Sequence, residues 1–380
     1  MIATGAKTVD MKTLFPLLLI LFFAAVHYLA HSRVVSHLHI THRTRKALRY
    51  LLILNMAGIV GYLASRYLLS TPHYLYFALS LSIGIGFLLF FGTLIYEFLR
   101  IVQRMIPFDP SKRAFFKRSS DLGFLALGSG YIASGVAEGA KDPVVQFVDV
   151  KQNRFGGKSY RIVQISDMHI GGLIDRAFVN RSVETINALD ADLVAITGDL
   201  TDAHIDTIRD AVEELGGLKS HYGTYYIVGN HEYFHDLEST IRYLKTLGIT
   251  VLENSSLPIN DDFHIAGVYD LFGYRAGIYE PDIAKAMGHI PADVPTLLLA
   301  HQPKYIEHLA GFKPSLILSG HTHGGQIWPF EYLVSLAQPF VKGLHALGPG
   351  RHIYVNSGIG FWGPPMRLGS QAEITCITWS

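Results

Sequence analysis

Three apolar runs, at residues 13–30, 48–69 and 74–99, constrain this 380-residue chain more than any other feature. Each is nearly free of charge and, as a helix, long enough to cross a hydrocarbon core of ~30 Å. A buried helix of a water-soluble domain would be shorter and would carry a polar face. A cleaved signal peptide would not be followed by two more such runs. The runs predict a membrane domain over residues 1–140, an N-terminal bundle of three transmembrane helices with residues 121–137 as a candidate fourth. Residues 141–380 are long enough for one large α/β domain with a core of its own.

The formal net charge of +1 hides a local asymmetry. Arg33, Arg43, Arg45 and Lys46 lie between the first two runs, and Arg100, Arg104, Lys112, Arg113, Lys117 and Arg118 follow the third. The connection around Ser70 to His73 carries no charge, with Arg66 the nearest. Basic loops stay on the cytoplasmic face, so the N-terminus is expected outside. Cations held beside a bilayer are poorly placed for a nucleic acid, and no such partner is expected. Between Asp121 and Glu138 the chain is uncharged and contains Gly123, Gly128, Gly130 and Gly135. Ser111-Lys112-Arg113-Ala114-Phe115-Phe116-Lys117 resembles a twin-arginine export motif with lysine in place of the first arginine. A crossing after it puts residues 141–380 outside the cell (inner) membrane, whereas a segment lying flat leaves them in the cytoplasm. The extracytoplasmic placement is the expectation.

In the second part, short apolar runs end in polar groups. Ile162-Val163-Gln164-Ile165 precedes Asp167-Met168-His169, and Leu193-Val194-Ala195-Ile196 precedes Gly198-Asp199-Leu200-Thr201-Asp202. Tyr226-Ile227-Val228 precedes Gly229-Asn230-His231-Glu232, Leu297-Leu298-Leu299-Ala300 precedes His301, and Leu316-Ile317-Leu318 precedes Gly320-His321-Thr322-His323. Such runs read as buried strands, and in open α/β sheets ligands bind at the carboxyl rim. Helical spacing of Phe178, Val183, Ile186 and Leu189, and of Leu237, Ile241 and Leu244, predicts helices covering the sheets. Val144–Val150 and Tyr160–Ile165, separated by Asn153 and Gly156-Gly157, read as an opening hairpin, and the alternating 373–379 run as a final strand.

Carboxylate, amide and imidazole groups without cysteine suit Mn, Fe, Zn or Ni rather than a thiolate-bound structural zinc. Two divalent ions roughly 3.5–4 Å apart can activate a water and clamp the oxygens of a phosphoryl group under in-line attack. The single Cys376 allows no internal disulfide and reads as a small core side chain.

The order D-x-H, G-D-x-x-D, G-N-H-[ED], H, G-H-x-H over roughly residues 144–380 resembles the calcineurin-like metallophosphoesterase superfamily. The resemblance implies a four-layer metallophosphoesterase β-sandwich flanked by helices. It implies that Asp167, His169 and His323 bind one metal, that Asn230, His301 and His321 bind a second, and that Asp199 bridges them. It further implies that His231 contacts the phosphate and protonates the leaving oxygen, with Asp202 orienting it. An imidazole titrating near neutrality suits that task.

Gly324-Gly325-Gln326 and the stretch from Asn356 to Arg367 resemble the membrane-associated or exported YkuE/YaeI-like branch. Glycines there would let backbone approach the site. Trp328, Phe330, Phe361 and Trp362 read as loop-packing residues, with an apolar rim for a lipid-like substrate as the alternative. His204, His221, His235, His264, His308, His345 and His352 read as surface or core residues.

The expected function is membrane-anchored, two-metal hydrolysis of a phosphomonoester, phosphodiester or pyrophosphate, with the bilayer and a lipid-linked phosphate as partners. Some superfamily members hydrolyse the lipid A precursor UDP-2,3-diacylglucosamine, a cytoplasmic nucleotide-linked substrate that competes with an outward-facing domain. The alternative is a membrane sensor or scaffold that binds metal and phosphate without turnover. A nuclease reading lacks an evident basic and aromatic strand-binding surface.

Overall fold

The computed structural model describes residues 11–67, 71–105 and 109–380. Leu68 and Leu69 of the second apolar run, and Ser70 beyond it, lie outside the described residues. The chain forms two compact units, one made by residues up to Val136 with Gly363–Pro365 and one by Ala137–Trp362 with Met366–Ser380.

The first unit is helical. Helix α1 (Met11–Leu29) continues into a wider helical turn at Ala30–Val35 and is followed by α2 (His42–Tyr67), α3 (His73–Met105) and α4 (Pro110–Gly139). Among the described residues, three segments are long and apolar enough to cross a membrane: Pro16–Val35, His42–Ser65 and His73–Met105. The 121–137 segment lies inside α4, which is not among them: Gly123, Gly128, Gly130, Gly135 and the serines between Asp121 and Glu138 leave it too weakly apolar. Apolar packing of Phe23, Ile59, Tyr62, Leu63 and Ile83 joins α1, α2 and α3. Two buried polar side chains of this bundle pair with each other and with backbone: a ring nitrogen of His27 lies 2.9 Å from the Asn55 amide oxygen, and Asn55 donates to the Ser82 carbonyl at 3.1 Å. Pairing of this kind is what a low-dielectric interior demands.

In the second unit twelve strands form two six-stranded sheets. The first sheet contains β1 (Val144–Val150), β2 (Tyr160–Ile165), β3 (Leu193–Thr197), β4 (Thr224–Ile227) and β5 (Thr250–Val251). The second contains β6 (Ser255–Pro258), β7 (His264–Gly267), β8 (Thr296–Leu299), β9 (Leu316–Ser319), β10 (Gly343–Gly348) and β11 (Arg351–Val355). The final strand, β12 (Glu373–Trp379), completes the first sheet, whose order is β1-β12-β2-β3-β4-β5; the second runs β10-β11-β9-β8-β7-β6.

Alternation of side chains along each strand divides the core. Ile162, Leu193, Ala195, Tyr225 and Ile227 meet Ile265, Leu297, Leu299, Leu316 and Leu318 between the sheets. Val163, Ile165, Val194, Ile196 and Tyr226 face the other way, against helices α5 (Arg176–Asn187), α6 (Ile205–Glu213) and α7 (Leu237–Thr246). Beyond α8 (Phe272–Ala276), helix α9 (Ile283–Met287) covers the outer face of the second sheet through Ile283, Ala286 and Met287. The result is helix, sheet, sheet, helix: the expected four-layer α/β sandwich.

The opening hairpin does not form. β12 lies between β1 and β2, parallel to β1 and antiparallel to β2. The reason lies in β12 itself, whose Ile374 and Cys376 enter the helix-side core while Ile377 and Trp379 enter the core between the sheets. A strand apolar on both faces needs neighbours on both edges, whereas β1, exposed along much of its length, takes the sheet edge.

Candidate metal centre

All five polar groups follow the carboxyl ends of strands, three on the first sheet and two on the second. The Gln164 amide ties the two rims together by donating to the Thr197 hydroxyl and the Ser319 carbonyl, both at 2.9 Å. The turns that follow are tight. Asp167, His169, Asp199, His321 and His323 all adopt positive φ, between 49° and 70°, a conformation uncommon outside glycine that clusters at functional sites. Glycines permit the close approaches. A Cβ on Gly229 would collide with the Asp199 carboxylate, and one on Gly320 with the Ser166 hydroxyl and the Asp167 carboxylate.

Three groups of buried or half-buried side chains result: Asp167, His169 and His323; His169, Asp199 and His231; Asp199, His301 and His321. Within each, the nitrogen and oxygen atoms lie within 4.8 Å of one another. Nε2 of His169 is 3.0 Å from Nε2 of His323, which is 3.4 Å from an Asp167 oxygen. Nε2 of His301 is 3.3 Å from an Asp199 oxygen and 3.3 Å from Oδ1 of Asn230. Donor atoms on neighbouring corners around a cation with ligand bonds of ~2.1 Å stand about 3.0–3.4 Å apart, so these spacings fit bound divalent ions.

Ring orientation fits as well. His301 donates from Nδ1 to the Thr197 carbonyl at 2.7 Å, which leaves the Nε2 lone pair facing Asp199 and Asn230. His169 directs Nδ1 to Asp202 at 2.8 Å, and Nδ1 of His323 is buried without a hydrogen-bond partner. His321 donates its backbone N–H to both Asp167 oxygens, at 3.0 and 2.9 Å, and its ring lies 5.2 Å from that of His301.

Burial disfavours charge throughout this cluster. Burial and then the neighbouring His301 push His321 down to about 3, and burial with His169 holds His323 well below the ordinary imidazole value. Burial works against the Asp199 carboxylate, but His301 and His231 outweigh it and hold its pKa well below the usual range. For His301 burial is outweighed by Asp199, Asp167 and Asp270, which raise it well above normal. A cation beside His301 would take the place of that proton.

His231 is anchored twice: its backbone N–H donates to Asp199 at 2.8 Å, and Nδ1 lies 2.6 Å from Asp202. Its Nε2 stands 3.9 Å from the other Asp199 oxygen, so it faces the same space as the metal-site donors.

Two residues without a role in the sequence reading organise the site. The buried Glu232 carboxylate accepts the backbone N–H groups of Asp199 (3.2 Å), Leu200 (2.7 Å), Thr201 (3.0 Å) and Gly229 (2.6 Å), binding two motif loops together. The buried Arg367 guanidinium donates to the Ser357 and Gly358 carbonyls at 2.9 and 3.0 Å, and to Gly360 at 2.5 Å. Ile359 and Gly360 in turn donate backbone N–H groups to the Ser166 and Asp167 carbonyls. Both residues lie inside the quoted motifs, but their partners are backbone groups that a motif does not display.

Of the four aromatics considered as a rim, Trp362 approaches the site, 6.4 Å from the His231 ring, whereas Phe361 packs on the helix-side core. Cys376 is buried in β12, away from the donor groups. Outside the centre, the His204 and His235 rings meet at 6.2 Å.

Residues 160–325 match the family model described as calcineurin-like phosphoesterase. The chain is 35% identical over 360 residues to an uncharacterized metallophosphoesterase of Helicobacter pylori (strain J99 / ATCC 700824), covering 94% of this chain and 96% of that one. The chain belongs to the calcineurin-like metallophosphoesterase family. A Danio rerio member called a transmembrane protein with metallophosphoesterase domain is 32% identical over 87% of this chain and 79% of its own. The Bacillus subtilis metallophosphoesterase YkuE is 29% identical over 70% of this chain and 97% of its own. The chain thus joins family membership to clusters of side chains able to hold a metal and to helices apolar enough for a membrane.

Proposed function

We propose that the chain is a membrane-anchored phosphoester hydrolase, with residues 1–140 as its membrane domain and 141–380 as its catalytic domain. The observation that carries this reading is the convergence from two sheets of Asp167, His169, His323, Asp199, Asn230 and His301, with spacings of 3.0–3.4 Å between donor atoms, and of His321 within 4.8 Å of Asp199 and His301. Asp167, His169 and His323 would hold one divalent ion, of Mn, Zn or Fe, and Asn230, His301 and His321 a second, with Asp199 shared. Ions held there supply Lewis acidity toward a phosphoryl oxygen and toward water.

The chain's own groups do the rest. Asp199 fixes the backbone of the loop that carries His231. Asp202 receives Nδ1–H of His231, which holds the Nε2 edge toward the centre and stabilises the protonated ring. Nε2 then gives its proton to the departing oxygen as a water oxygen bonds to phosphorus and the bond to the departing oxygen breaks; the proton lost by that water goes to the phosphate product or solvent. Burial of Asp167, Asp199 and His301 strengthens every charge interaction made with the substrate.

Membrane attachment favours a lipid-linked phosphate. On the positive-inside rule the basic loops of the helical unit face the cytoplasm, so a domain on the outer side of the cell membrane requires the 121–137 segment to cross; that orientation is incompatible with a cytoplasmic nucleotide-linked lipid A precursor. Metal-stripped protein reloaded with manganese and offered p-nitrophenyl phosphate, bis-p-nitrophenyl phosphate and pyrophosphate tests the reaction class. Metal-dependent turnover of at least one is expected; turnover of none by the reloaded protein would contradict it.

A further inference from the structure

His231 has two aromatic neighbours that the reaction itself does not require. Phe234, three residues on, meets its ring at 5.7 Å in an edge-to-face arrangement, and Trp362, from the tail loop, meets it at 6.4 Å. Both are fixed from behind. Phe234 packs edge-to-face on Phe272 of α8 at 4.9 Å, and Phe272 is itself held by Tyr233 at 5.5 Å. The Gln326 side chain accepts the Trp362 backbone N–H at 2.9 Å and donates to its carbonyl at 3.0 Å. Yet the two rings stay open, Phe234 to 50% and Trp362 to 40%, beside a cluster of histidines and acids that is buried or half-buried.

One large ring braced by Phe272 and another on a backbone pinned by Gln326, both half-open next to a polar reaction centre, form a receptor for an apolar group. Their place next to His231 identifies the occupant. On the reading of His231 as proton donor, the atom nearest its Nε2 in the reacting complex is the departing oxygen, so whatever touches Phe234 and Trp362 is carried by that oxygen. We propose that Phe234 and Trp362 form a leaving-group subsite, and that the substrate is a phosphoester whose leaving alcohol is apolar next to the oxygen. The inference rests on the hydrolase reading but concerns which ester is chosen.

The test compares benzyl and ethyl phosphates, whose alkoxides are similar in basicity, as monoesters and diesters, using the manganese-loaded full chain in detergent. Binding of benzylphosphonate and ethylphosphonate, read by calorimetry, gives the same comparison without turnover. A preference for benzyl of about tenfold is expected in kcat/KM and in affinity. Phe234→Ala and Trp362→Ala should each remove most of that preference, and Trp362→Phe should retain most of it. An octyl ester distinguishes the source of the apolar group: octyl above benzyl points to a lipid chain, benzyl above octyl to a ring. Turnover without preference, or a preference unchanged in both alanine variants, overturns the subsite and leaves the hydrolase reading standing. Preferential benzylphosphonate binding, lost in the variants, in a protein that hydrolyses neither these esters nor the nitrophenyl esters and pyrophosphate keeps the apolar site and overturns the hydrolase reading.

Discussion

Nδ1 of His231 lies 2.6 Å from Oδ1 of Asp202. The same oxygen lies 2.8 Å from Nδ1 of His169, so one carboxylate holds both the proposed proton donor and a proposed metal ligand. Asp202→Asn keeps an oxygen for both rings but removes the charge that favours their N–H groups. It should lower kcat and the affinity for metal together, each by about 10–100-fold. His231→Ala should lower kcat alone. Metal titration beside steady-state kinetics separates the two; a rate loss in Asp202→Asn with unchanged metal affinity would show that the His169 contact has no influence.

Glu232 receives four backbone N–H groups from the loops that carry Asp199 and Asn230. In Glu232→Gln the amide nitrogen faces donors where a carboxylate oxygen accepted them. The metal-free variant should lose about 3 kcal/mol of stability and bind metal more weakly. Thermal unfolding of the detergent-solubilised chain reads the first effect, and an unchanged midpoint would exclude the clamp.

Gly320→Ala places a methyl group against Ser166 and Asp167. Relieving that collision must move one of the two loops, so a cost of about 1–3 kcal/mol is expected, with loss of the metal that Asp167 would hold. Metal analysis after dialysis checks it; full occupancy would mean that the loops yield freely.

Asp270 gives a pH test on metal-free protein. Burial, reinforced by Asp199 and only partly offset by His301, the Phe272 N–H and Gln302, pushes its carboxyl up to about 6 from an ordinary value near 3.8. Between these values the folded state binds the proton more tightly than the unfolded state, so its contribution to stability falls as pH rises from about 4 to 6 and is flat above. A shift of this size corresponds to about 3 kcal/mol at most. Asp270→Asn also loses a partner for Gln302, which adds a pH-independent offset, so the informative quantity is slope. The stability of the variant relative to the parent should rise across pH 4 to 6; parallel curves would contradict the raised value.

Much of this was legible because strand ends and ligands coincide along the chain. A β-branched run ending in Asp or His both builds a buried strand and places a donor at its rim, so Ile162–Ile165 with Asp167, and Leu316–Leu318 with His321, declare their roles locally. The position of β12 was not legible, since choosing the neighbour of β1 depends on which strand must be covered on both faces. Nor were the roles of Glu232 and Arg367 visible, because their partners are carbonyl and N–H groups of distant turns. Phe234 escaped notice because one aromatic after a histidine motif has no periodic signal; its brace, Phe272, comes from another helix.

The central claim is that Asp199 is shared between two metal sites while His231 acts on the leaving group without holding a metal. Metal stoichiometry measured with turnover on the same reloaded samples tests it most directly. The account predicts two ions per chain in the parent and in His231→Ala, with kcat reduced about 100-fold or more in the latter, and loss of both ions in Asp199→Ala. An Asp199→Ala protein that keeps both ions, or a His231→Ala protein that loses one, would contradict it.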